Sequence, residues 1–150
     1  VLGKPADEAE AIEMLRCLRD RPHVVHTALT LRRLGDERRV ISDLASIKVW
    51  MRPYSGEEIA AYVASGDPLD KAGAYAIQSA DFRPVARLSG CYLNVVGLPL
   101  CHIVRSLREW GLSPWRHVPS MCQEVTCRVC VVYERILAGR PKALSDSSSR

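Results

Sequence analysis

The sequence predicts an α/β (α+β) domain, and three observations predict it. Apolar residues recur at helical spacing near the start, at Ile12, Leu15 and Leu18. Two long stretches rich in β-branched residues follow, the second alternating Ile47, Val49 and Met51 against Ser46, Lys48 and Arg52. Helical spacing then returns at Ile59, Tyr62 and Val63, and again at Leu100, Ile103, Val104 and Leu107. Strand and helix periods that succeed one another in this way, with no internal repeat, describe a mixed-layer domain.

Each element has its own signals. A helix is expected from Pro5 to about Asp20, with Asp7 as N-cap and Glu8 and Glu10 at the positive end of its dipole. Arg21-Pro22 ends it, because a residue before proline is pushed out of the α region. His23 to Arg33 reads as a strand, Leu34-Gly35-Asp36-Glu37 as a hairpin-like turn, and Arg38 to Met51 as the antiparallel partner. Ser55 opens a helix through a capping box with Glu58, and Gly66-Asp67-Pro68 stops it. A compact segment from Leu69 to Gln78 precedes a short strand, Phe82 to Leu88. Asn94 and Gly97 suggest a turn into a last amphipathic helix with Pro99 at its first position, closed by Gly111. Val125 to Leu137 fits either strand or helix, and Ser145 to Arg150 is expected to be disordered.

Composition narrows the function classes. A hydrophobic fraction of 47% with 25% charged residues suits a globular domain, and no apolar run approaches the ~20 residues of a membrane span. Lys4, Asp7, Glu8 and Glu10 fill the place of a signal-peptide apolar core, so a cytoplasmic protein without a membrane partner is expected. The net charge of +4 is dispersed, with Arg32, Arg33, Arg38 and Arg39 around one turn, which argues against nucleic acid. A triphosphate pocket explains surplus cations equally well.

Six cysteines in such a chain do not suggest a disulfide framework. Cys122, Cys127 and Cys130 have the C-x4-C-x2-C spacing of an iron–sulfur ligand set, and Cys91 or Cys101 would complete it only if the tail folded back. Val129, Val131 and Val132 interleave them, so small hydrophobic cysteines in a buried strand are the favoured reading.

Two segments carry chemistry. Lys4, beside Gly3 and ahead of a helix, suits a phosphate contact, although a solvated lysine explains it alone. In Asp67-Pro68-Leu69-Asp70-Lys71-Ala72-Gly73-Ala74-Tyr75-Ala76-Ile77-Gln78, small residues separate Asp70, Lys71 and Gln78 and permit close backbone approach. Lys71 suits a phosphate, and Gln78 has the donor and acceptor needed to read a base edge. The plainer alternative is a packed corner in which Asp70 and Lys71 pair with each other.

Taken in order, LGKPADEAEAIEMLRCL, SGEEIAAYVASGDPLDKAGAYAIQ and NVVGLPL resemble the Maf family of nucleotide pyrophosphatases, from Val1 to about Gly111. The resemblance implies a fold like that of inosine-triphosphate pyrophosphatases, with a central, mostly antiparallel sheet flanked by helices and a nucleotide cleft between two lobes. It implies cleavage of a nucleoside triphosphate to the monophosphate and pyrophosphate with a divalent cation, Mg or Mn. Lys4 and Lys71 then become phosphate-binding cations, Gln78 the substrate-specificity residue, and Asp70 part of a polar network or metal shell. The Lys-Ala-Gly…Ile-Gln form resembles the branch acting on dTTP and UTP, and a homodimer is a further expectation.

Departures shape the expectation too. The family's SxSPRR loop and the Asp-Thr pair holding its proposed catalytic base precede Gly3-Lys4-Pro5, and the chain opens at Val1, so a fragment lacking that Asp and nearly inactive is expected. Ser79 stands where the family has glycine, and the loop before Phe82 is shortened. Residues 112–150 are expected to be a separate, unassigned extension. The competing readings are a nucleotide-binding module without chemistry and a cysteine-based metal-binding interaction domain.

Overall fold

A computed structural model describes residues 1–139, apart from the side chains of Glu37 and Arg38. It contains helix α1 (Glu8–Leu18), strands β1 (Pro22–Arg33) and β2 (Asp36–Met51), helix α2 (Gly56–Ala64), strand β3 (Val85–Ser89), and helices α3 (Tyr92–Val96), α4 (Leu100–Arg108), α5 (Val118–Thr126) and α6 (Tyr133–Ala138). The strands form one sheet in the order β1-β2-β3. The α/β (α+β) expectation, an antiparallel sheet with flanking helices, matches this architecture. By contact the described residues divide into two units, one of residues 1–25 and 48–89, the other of residues 26–47 and 90–139. Both long strands run through both units.

In the first unit, Asp7 caps α1 by accepting from the Glu10 N–H at 2.8 Å, as its sequence position implies. The buried stripe of α1 is Ala11, Met14, Leu15 and Leu18, with Ile12 only half-buried. The helix stops at Leu18, short of Asp20, because Asp20 takes a left-handed conformation with φ 56. On α2 the capping box forms in full: Glu58 N–H donates to Ser55 Oγ, and Ser55 N–H donates to Glu58 Oε2. Its face of Ile59, Tyr62 and Val63 is buried, and α1 packs on α2. The Tyr54 hydroxyl donates to the Leu15 carbonyl at 2.8 Å within this core.

β3 pairs antiparallel with β2, with Lys48 opposite Ser89, Val49 opposite Leu88 and Trp50 opposite Arg87. Met51 then faces Val85, so Ala86 is the extra residue of a bulge. The strand thus begins at Val85, where the sequence suggested Phe82. Phe82 is a core residue, 5% exposed and stacked on Tyr62 with centroids 4.2 Å apart, and Arg83 at φ 45 breaks extended geometry behind it.

In the second unit, Ala45 and Ile47 of β2 and Cys101 and Val104 of α4 are buried core residues. Asp43 is fully buried and paired two-pronged with Arg105, Nε to Oδ2 at 2.7 Å and NH2 to Oδ1 at 2.6 Å. The expected apolar stripe of α4 is displaced in consequence. Leu100, Ile103 and Leu107 are half-buried, while His102, Arg105 and Ser106 are buried. Pro99 is the N-cap of α4, one position ahead of the expected one, and Asn94 lies inside α3, which Gly97 ends at φ 114.

The tail does not follow the buried-strand reading. α5 ends at Cys127, itself left-handed and exposed, and Val129 and Val131 are 87% and 89% exposed. The expectation for Ser145 to Arg150 lies outside the described residues.

Candidate nucleotide site

The first unit brings the two lysine segments together. The Gly73 N–H donates to the Gly3 carbonyl at 2.9 Å, so the backbone before Lys4 runs beside the backbone after Lys71. Glycine serves here because Gly73 has φ 73, and Ala74 follows at φ 58. Residues Asp67–Asp70 and Ala72–Ala74 form two tight 3-10 turns. This winding places Lys71 Nζ 2.7 Å from Asp70 Oδ1, 3.0 Å from Asp67 Oδ1 and 2.6 Å from the Asp67 carbonyl.

The charges read one another. Lys71 depresses the Asp70 carboxyl, first by its hydrogen bond, and the charge of Lys4 adds to that shift. In return the Asp70 contact holds the Lys71 ammonium above its ordinary value. Asp67 lies below the usual carboxylate range, chiefly because the Tyr62 hydroxyl donates to it at 2.6 Å. The pairing considered for Asp70 and Lys71 is present, and Lys4 adds only the smallest of the named effects on the Asp70 carboxyl.

Gln78 lies on the wall of an open pocket of about 590 Å³, a volume usual for small-molecule sites. Tyr62 and Phe82 form its aromatic wall, and Glu58, Asp67 and Asp81 supply three carboxylates; among the described residues no lysine or arginine lines it. Lys71 reaches the pocket only through its ion pair with Asp67. Arg52 braces the outer side, with NH2 donating to Glu58 Oε1 and to the Phe82 carbonyl, both at 2.7 Å. That contact holds the Glu58 carboxyl below its ordinary value.

Sequence reasoning passed over Asp81, Asp67 as a pocket residue, and the Tyr62–Phe82 wall. Among the described residues no group of three or more His, Cys, Asp or Glu side chains is arranged to hold a metal ion, at Asp70 or at the cysteines. No described helix is long and apolar enough to cross a membrane.

Comparison with known proteins gives the family. A family model described as Maf-like protein matches residues 1–110. A protein named dTTP/UTP pyrophosphatase from Carboxydothermus hydrogenoformans is 50% identical over 111 residues, covering 74% of this chain and 59% of its own. A protein of the same name from Dehalococcoides mccartyi is 41% identical over 133 residues, covering 89% of this chain and 58% of its own. Another, from Thermomicrobium roseum, is 47% identical over 128 residues, with shares of 83% and 57%. The chain spans less than two thirds of the length of these relatives. With the family model covering more than half of its residues, the chain belongs to the Maf-like protein family.

Proposed function

We propose that this chain carries the nucleotide-holding part of a nucleoside-triphosphate pyrophosphatase, which converts (d)NTPs to the monophosphate and pyrophosphate and prefers dTTP and UTP. The observation that carries the proposal is the backbone bond from the Gly73 N–H to the Gly3 carbonyl, which sets the Lys4 segment beside that of Lys71, with Lys71 one ion pair away from the pocket that holds Gln78. The names of the relatives support the reaction and the bases.

In this reading Lys4 and Lys71 meet the phosphates as point charges, and Gln78 meets the base. Electrostatic stabilisation of the leaving pyrophosphate falls to the two ammonium groups. No residue is assigned as the base that activates water, because no Asp-Thr pair precedes Gly3-Lys4-Pro5 within these 150 residues. A divalent cation, Mg or Mn, belongs to the family chemistry, but the described carboxylates do not form a cage for one, and no step is routed through it. A cytoplasmic location and a homodimer complete the reading.

The test is titration of the 150-residue protein with UTP and dTTP, alongside a pyrophosphate-release assay. Lys71→Ala and Lys4→Ala are each expected to weaken triphosphate binding by about fivefold to tenfold, and Gln78→Ala to narrow the preference between bases. Unchanged affinity in both lysine variants would sink the proposal. Binding without pyrophosphate release would instead favour the module without chemistry.

A further inference from the structure

The pocket around Gln78 can be read by elimination. Five of its polar side chains are already satisfied within the protein. Both Glu58 oxygens accept, one from Arg52 and one from the Ser55 N–H. Both Asp67 oxygens are engaged, by Tyr62 and Lys71. The Tyr62 oxygen also accepts from the Ala76 N–H, Ser65 Oγ donates to the Tyr62 carbonyl, and Ser79 Oγ accepts from the Phe82 N–H. Two remain. The Gln78 amide and the Asp81 carboxylate line the pocket without a hydrogen bond or ion pair to the described residues.

Charge and chemistry then restrict the occupant. Of the three carboxylates on the lining, Glu58 and Asp67 are paired with Arg52 and Lys71 and Asp81 is not, and among the described residues no cation lines the pocket, so a neutral ring suits it better than the anionic end of a nucleotide. The two unengaged groups offer one amide, which both donates and accepts, and one carboxylate, which only accepts. A lactam base, with a ring N–H beside a carbonyl, presents the complementary pair. A base with a bare ring nitrogen at that edge sets its lone pair against the carboxylate.

We infer that Asp81 is a specificity-determining residue: it accepts the ring N–H of a keto base such as uracil or thymine while Gln78 donates to the adjacent carbonyl, and it excludes amino bases such as cytosine. The inference rests on the nucleotide reading above and adds the group that separates keto from amino bases.

The experiment uses the 150-residue protein and free nucleosides, which carry no phosphate. Uridine and cytidine are titrated into the parent and into Asp81→Asn, with UTP as a separate arm. Asp81 is exposed, so the isosteric change leaves the fold intact, which circular dichroism checks. Uridine is expected to bind at least roughly fivefold more tightly than cytidine, and Asp81→Asn to bring the ratio close to one, because an amide can donate to a bare ring nitrogen. Equal binding of the two nucleosides, or a ratio untouched by Asp81→Asn, overturns the inference. Binding of UTP without measurable binding of either nucleoside overturns it too, but leaves the nucleotide reading standing. Failure to bind UTP as well removes both.

Discussion

Neutralising Asp43 should destabilise this protein more than any other single-atom-scale change in its second unit. Asp43 is fully buried and Arg105 is 7% exposed, so Asp43→Asn leaves a guanidinium with no anion in a place water does not reach. Breaking one side of such a pair costs about 3–5 kcal/mol, against total stabilities of about 5–15 kcal/mol for whole domains. With a urea m-value of about 2 kcal/mol/M, the midpoint should fall by roughly 1.5–2.5 M with an unchanged slope. Far-ultraviolet circular dichroism in a urea series reads this directly. The double variant Asp43→Asn with Arg105→Met removes both charges and should recover much of the loss. A midpoint shift below about 0.5 M in the single variant, or simple additivity in the double, would refute the reasoning.

Four more outcomes follow from the first unit. Gly73→Ala places a side chain at φ 73 where only ordinary contacts with Leu18 and Tyr75 await it, so strain alone should cost about 1–2 kcal/mol, whereas Ala74→Gly at φ 58 should raise the melting temperature; a calorimetric scan decides, and opposite signs sink the argument. Burial lowers the His23 pKa from 6.5, so the unfolded chain binds more protons between the two values; that contribution is complete above pH 6.5 and is lost as pH falls, and His23→Gln should flatten the melting profile below pH 6.5. Asp67 and Asp70 lie below their ordinary 3.8 in the same sense, so a second, smaller loss should begin only below about pH 4 and should shrink in Asp67→Asn. Asp70→Asn should bind inorganic tripolyphosphate about threefold to fivefold more tightly at low salt, the gain fading by 0.5 M NaCl; unchanged or weaker binding would show that Asp70 does not compete for Lys71.

Local rules carried the elements whose partners are close in sequence. Asp7, Ser55 and Glu58 act within three or four residues, so their caps were readable, and Ile47, Val49 and Met51 reveal their face by alternation alone. Asp43 obeys that same alternation, which places it on the buried face, yet a charge there has meaning only beside Arg105, far along the chain. The tail misled because valines between cysteines look buried, whereas the left-handed Cys127 ends α5 and leaves Val129 and Val131 in solvent. Asp81 was hidden for a different reason. Its place on the pocket wall depends on the turn through Arg83 at φ 45, which no residue preference announces.

The pairing of Lys71 changes the physical account of how phosphates would be held. Lys71 is held by two carboxylates, Asp67 and Asp70, so under the proposed function a triphosphate would not meet a free cation there. Attraction must therefore come by exchange, with phosphate oxygens displacing Asp67 and Asp70 from Lys71. That exchange is cheap, because half-exposed ion pairs are worth about 0–1 kcal/mol, while a multiply charged phosphate offers a stronger partner. It also makes binding selective by charge: a monophosphate with two charges repays the displacement less than a triphosphate with three or four. Under the proposed function, the paired Lys71 would therefore discriminate a triphosphate from a monophosphate better than a free lysine, which would hold both.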